Sequence, residues 1–147
     1  MTSQITGRPL DDAGAPTEGP ALEVDPDGRA MELFSESPRA LASSPGMRTW
    51  STILRSPEPG AEATPAMLVW LGPEATELPA HVHASSPERF RSLEGELTVV
   101  VDGDPHRLAP GERLVVEPGE AHYFRNDTDG FVAFRVEVPW TRTIDTQ

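Results

Sequence analysis

The 147-residue chain contains no cysteine, which removes disulfides, thiolate-bound metal and a cysteine nucleophile together. Lysine is missing as well: all 12 basic residues are arginine, set against 24 aspartates and glutamates for a net charge of −12. A chain this acidic repels phosphate backbones and anionic headgroups, so neither nucleic-acid binding nor docking on a membrane is expected. Long apolar runs are also lacking. The longest, Ala66 to Leu71, has six residues, against the roughly 20 needed to span a bilayer. The N-terminus shows no basic patch followed by an apolar stretch, so a secretory signal is not visible and a cytoplasmic location is the expectation. There is no Gly-rich phosphate loop, no Ser-His-Asp order and no helical periodicity of useful length.

What is present is strand and turn chemistry. The length suits a single core. Residues 1–28 hold Pro9, Pro16, Pro20, Gly7, Gly14 and Gly19 with few large apolar side chains, and read as a disordered or loosely docked tail. Residues 29–60 read as an extension with short strands at Ala30 to Ser35 and Met47 to Leu54. From 61 to 141 short runs of Val, Leu, Phe and Trp alternate with turns. Ala66 to Leu71 closes on Gly72-Pro73, and Leu97 to Val101 runs into the hairpin signal Asp102-Gly103 and returns as His106 to Leu108. Pro110-Gly111 and Pro118-Gly119 flank Arg113 to Val116. Val132, Phe134, Val136 and Val138 fall on one face of a last strand, with Arg135 and Glu137 on the other. Residues 142–147 form a C-terminal tail. Many short strands punctuated by Gly and Pro predict an all-β antiparallel sandwich or barrel.

Four histidines are present: His81, His83, His106 and His122. In a strand, His81 and His83 would share one face while Val82 points away. Glu88 follows the Ala84 to Pro87 turn and can return its carboxylate to the same space, and His122 opens a strand after Pro118-Gly119. A lone strand histidine is more often a packed or solvated residue than a ligand, so the combination carries the argument. Imidazoles with a carboxylate make a nitrogen–oxygen set suited to a divalent first-row metal. His106 sits beside a turn and is expected in solvent. Arg89 and Arg91 are expected outside, in salt bridges, and Trp50, Trp70 and Trp140 in core or interface positions.

His81-x-His83-x4-Glu88-x6-Gly95 and Gly111-x5-Glu117-x-Gly119-x2-His122-x3-Asn126 resemble the two motifs of the cupin superfamily, Gly-x5-His-x-His-x(3,4)-Glu-x6-Gly and Gly-x5-Pro-x-Gly-x2-His-x3-Asn. The resemblance covers about residues 65–139. Gly72 lies eight residues before His81 where the motif has five, and Glu117 stands at the motif's proline with Pro118 next; both departures concern turns. The resemblance implies a jelly-roll β-barrel with an irregular N-terminal extension. It implies one divalent transition metal (Fe, Mn, Ni, Co or Zn) held by His81, His83, Glu88 and His122. Glu88 would double as a base on leaving the ion, and Phe90, Phe124 and Asn126 would face the pocket. The implied function is a small-molecule dioxygenase of quercetinase-like type. A non-redox cyclase or isomerase and a non-catalytic binding or sensor module are the alternatives. The expected partners are a small-molecule substrate or ligand and a second copy in a homodimer, since an exposed sheet edge favours pairing.

The lysine-free, acidic composition fits either a salt-adapted surface or a GC-rich coding bias. A salt-adapted protein is expected to melt at lower temperature as KCl is withdrawn from molar to millimolar concentration; a coding bias predicts no such loss.

Overall fold

Three turn motifs decide where the chain reverses. Ala109-Pro110-Gly111-Glu112 and Glu117-Pro118-Gly119-Glu120 are built alike: Gly111 and Gly119 have φ of +92° and +89°, the left-handed value a type II turn needs after proline. In each, the closing glutamate's N–H donates to the first residue's carbonyl, at 2.9 and 3.2 Å. Its carboxylate in turn accepts the first residue's N–H, at 2.8 and 2.7 Å. Asp102 and Gly103 have φ of +48° and +87°, the paired geometry of a two-residue hairpin.

The computed structural model describes residues 4–6, 12–13, 15, 22–36, 42–44, 48–55, 66–76, 80–82 and 86–137. In chain order the elements are β1 (Gln4–Thr6), β2 (Leu22–Val24), α1 (Arg29–Glu36), β3 (Ala42–Ser44), β4 (Thr49–Arg55), β5 (Ala66–Leu71), β6 (Glu88–Glu94), β7 (Leu97–Val101), β8 (Asp104–Leu108), β9 (Arg113–Val116), β10 (His122–Arg125) and β11 (Val132–Glu137). A six-stranded sheet runs β3-β4-β5-β11-β6-β9, a three-stranded sheet runs β10-β7-β8, and β1 pairs with β2. Every pairing is antiparallel. The expected all-β class holds as a β-sandwich with one short helix; among the described residues no strand ladder joins the two larger sheets into a closed barrel. No described helix is long and apolar enough to cross a membrane.

The main core lies between these sheets, where Val69, Leu71, Phe90, Leu97, Val99, Val116, Val132 and Phe134 meet. A second cluster covers the other face of the six-stranded sheet: Leu22, Val24, Ala30, Trp50, Leu68, Trp70, Leu93 and Ala133. Burial on both faces explains why β5 is apolar at every position rather than alternating. Trp50 and Trp70 are core residues here, as expected; Trp140 lies outside the described residues.

One expectation for the N-terminal part is corrected. Ala30 to Ser35 is helix, within α1, rather than strand. Ala30, Leu33 and Phe34 fall at helical spacing, and a remote carboxylate satisfies its first turn: Ala30 N–H donates to Glu94 Oε2 at 2.9 Å, the role an N-cap side chain normally fills. Within the stretch read as a tail, Leu22–Val24 is a strand with Leu22 and Val24 buried around an exposed Glu23. Two large side chains suffice to dock it because Trp50 and Trp70 offer a ready apolar surface.

A bulge makes this docking work. The β6–β11 register shifts between Ala133 and Phe134, passing from Glu94 to Ser92. Leu93 and Glu94 therefore both serve the outer layer, one in its apolar cluster and one on the helix terminus, as a bulge permits. Leu22→Ala is expected to cost about 2–4 kcal/mol in denaturant unfolding, the range for truncating a buried leucine. A loss below about 0.5 kcal/mol would mean an undocked segment.

Candidate metal centre

The centre is built where β10 begins. The Pro118-Gly119 turn delivers the chain to Ala121, whose N–H donates to Asp102 Oδ1 at 2.9 Å while its carbonyl accepts the Asp102 N–H at 2.7 Å. His122 then enters β10 opposite Val101 of β7. On its other edge His122 pairs with His81 alone: His81 N–H donates to His122 O at 3.0 Å, and His122 N–H to His81 O at 2.9 Å. Two residues that exchange both backbone hydrogen bonds point their side chains the same way. The imidazoles lie together, ring centroids 4.4 Å apart and inclined by 62°.

Glu88 opens β6 on the face that carries Phe90 into the core. His122 Nε2 lies 2.6 Å from Glu88 Oε1, with side-chain exposures of 1% and 8%. The other ring nitrogen, Nδ1, sits 3.0 Å from the Glu120 carbonyl oxygen. A carbonyl only accepts, so Nδ1 carries a proton, and the neutral ring presents a lone pair at Nε2. That lone pair would face a carboxylate oxygen, two acceptors at hydrogen-bond distance. A proton or a cation must lie between them.

Ligand atoms of His81, Glu88 and His122 lie within 4.8 Å of one another. Two imidazoles and a carboxylate, with Glu88 and His122 buried and His81 half-buried, fit a divalent first-row ion, and the Glu120 carbonyl orients His122 as second partners of metal-bound histidines do. Of the four ligands implied by the resemblance, the structure thus brings together three; His83 lies outside the described residues. Among the described residues His81 makes one β-bridge, to His122.

The expected pocket residues divide. Phe90 stands edge-on to His122 at 6.3 Å and to Phe124 at 6.3 Å, and Phe124 packs on Phe134 at 5.1 Å; together they form an aromatic wall beside the histidines. Asn126 is committed elsewhere. Its Nδ2 donates to the carbonyls of Leu71, Gly72 and Gly130 at 3.0, 2.9 and 2.8 Å. Its Oδ1 accepts from Thr128 N and Oγ1 at 2.9 and 2.6 Å. It fastens the exit of β10, the turn role, and its amide has nothing left for a ligand. His106 is exposed, as expected. Arg89 and Arg91 project from the far face of β6, yet neither makes the expected salt bridge among the described residues. The Glu120 carbonyl is the site partner that sequence reasoning missed, because any residue type supplies a backbone acceptor.

A family model described as a cupin domain matches residues 67–138. No curated protein matches the chain. Among solved structures, the chain is similar to the cupin domain of an XRE family transcriptional regulator from Enterobacter cloacae (20% identity, 65% of this chain and 99% of that one, TM-score 0.57). It is also similar to a sugar phosphate isomerase of the cupin superfamily from Silicibacter pomeroyi (27% identity, 67% of each chain, TM-score 0.52). A third is the polyketide cyclase RemF from Streptomyces resistomycificus (20% identity, 67% of this chain and 70% of that one, TM-score 0.56).

Asn126→Ala is expected to cost about 2–4 kcal/mol, because several backbone groups lose their partner at once. Asn126→Asp should cost more, since a carboxylate has no proton for three carbonyls. Equal stability of Asn126→Asp and the parent in denaturant unfolding would contradict this assignment.

Proposed function

The chain belongs to the cupin superfamily through residues 67–138, and on that footing we propose that it is a metal-dependent enzyme acting on a small molecule at His81, Glu88 and His122, with His83 as the fourth ligand. The observation that carries this reading is the 2.6 Å approach of Glu88 Oε1 to His122 Nε2 with Nδ1 already engaged. When bound, a divalent ion supplies a Lewis acid with open positions for substrate. The chain's own groups do the rest. The Glu120 carbonyl fixes the tautomer and aim of His122. Glu88 can accept and return a proton at Oε1, and Phe90 and Phe124 keep bulk water from the imidazoles.

Proton transfer of this kind suits a non-redox isomerase or cyclase, and the 27% likeness to a sugar phosphate isomerase supports it. The second reading is a dioxygenase of quercetinase-like type, favoured by the aromatic wall, which would receive an aromatic or enediol substrate. Binding without turnover would make the chain a sensor module.

Elemental analysis of the purified full chain is expected to give about one divalent ion per chain, and His122→Ala or His83→Ala less than about a tenth of that, with the fold intact by circular dichroism. Full metal content in His122→Ala would overturn the assignment. Substrate turnover without oxygen uptake at an oxygen electrode supports the first chemistry; uptake coupled to turnover supports the dioxygenase.

A further inference from the structure

Among the described residues, the N-terminal layer covers one end of the outer face of the six-stranded sheet. At its other end β9, β6 and β11 expose a row that the register makes unusual: Arg113 lies opposite Arg91, and Arg91 opposite Arg135. The next row is Val115, Arg89 and Glu137. These residues line a groove of about 300 Å³. Four of the chain's 12 arginines thus face one glutamate, a net charge of +3 in a protein of net −12. Like charges directly opposite across strands are destabilising, and an acidic chain has carboxylates in plenty with which to separate them. Among the described residues only Arg135 has such a partner, Glu137 at 2.8 Å. Arg91 Nε is buried with no hydrogen-bond partner among the described residues. Among the described residues, the groove thus holds an unsatisfied donor and positive charge in excess of its carboxylates.

We propose that this groove is a second ligand site, separate from the metal centre, which binds the phosphate group of a small soluble molecule. Guanidinium forks match phosphate oxygens in bidentate geometry. Arginines from three adjacent strands face a single groove, and the charge they present is answered better by one compact group carrying close to two negative charges than by a planar monocarboxylate. The exposed Val115, 43% accessible, adds an apolar contact for the organic part of the ligand. A second copy is a poor occupant, since two-fold pairing would set arginine groove against arginine groove. A nucleic acid would meet the acidic remainder of the chain.

Isothermal titration of the 147-residue chain with inorganic phosphate, at about pH 8.5 and low ionic strength where the phosphate dianion predominates, is expected to show one saturable site that weakens with added salt. Arg91→Gln and Arg113→Gln should each raise Kd at least about tenfold, the loss of one bidentate contact. Chelator-treated protein and His122→Ala should bind as the parent does, which separates this site from the metal centre and makes its failure distinguishable from failure of that assignment. Arg113 is exposed, so its variant keeps the test open should Arg91→Gln not fold. Any of four results would overturn the proposal: no saturation in the millimolar range, unchanged binding in Arg113→Gln, equal affinity for malonate, or a dimer in sedimentation that Arg113→Gln dissociates.

Discussion

Two backbone hydrogen bonds between His81 and His122 hold the candidate centre together. They join the His81 segment to the edge of a three-stranded sheet, and they do so at the two residues whose side chains are needed. A side-chain contact alone would leave each imidazole free to choose its rotamer. The backbone pairing fixes the direction in which both side chains leave the chain, and the Glu120 carbonyl then holds the ring of His122 at Nδ1. Glu88 arrives from the opposite sheet, so the centre also bridges the sandwich. Preorganisation of this sort lets a site hold two imidazoles and a carboxylate at close range without relying on the ligand to assemble it.

The rest of β10 is fastened to the same end. Its start is clasped by the Asp102–Ala121 hydrogen bonds, its length by β7, and its exit by the Asn126 amide. The Pro118-Gly119-Glu120 turn delivers it from β9. Rigidity at the centre is thus purchased by polar contacts distributed around one four-residue strand, while the aromatic wall of Phe90, Phe124 and Phe134 supplies the apolar side.

Legibility followed the range of the interaction. Local signals were plain in the sequence: Ala66 to Leu71, the Asp102-Gly103 hairpin, the two Pro-Gly turns and the alternation of Val132 to Val136 lie where they were read. The ligand trio was legible because its spacing matched a known pattern. The remainder depends on contacts between distant residues. Eight residues from Arg29 to Glu36 are too few to display helical periodicity, and the carboxylate capping them is 64 positions away. Leu22 and Val24 look too sparse to order a segment until Trp50 and Trp70 are known to lie beneath them. Asn126 matched a motif position, yet nothing in its neighbours said that three carbonyls would consume it. The arginine ladder was invisible for the same reason, since Arg91, Arg113 and Arg135 become neighbours only through the strand order.

β6 connects all of this. Its first half alternates Glu88 and Phe90 inward with Arg89 and Arg91 outward, so both the metal centre and the arginine groove are set by one register. A slip by one residue would carry a guanidinium into the core and the carboxylate into solvent, an uncompensated buried charge costing several kcal/mol. That cost forbids the slip more firmly than any hydrophobic preference could. The bulge near Leu93 then releases the second half of the strand from the same alternation, which lets Glu94 reach α1 without disturbing Glu88. One strand can therefore serve a buried site, an exposed charged face and the N-terminal cover, because its irregularity is placed after the residues whose direction must not change.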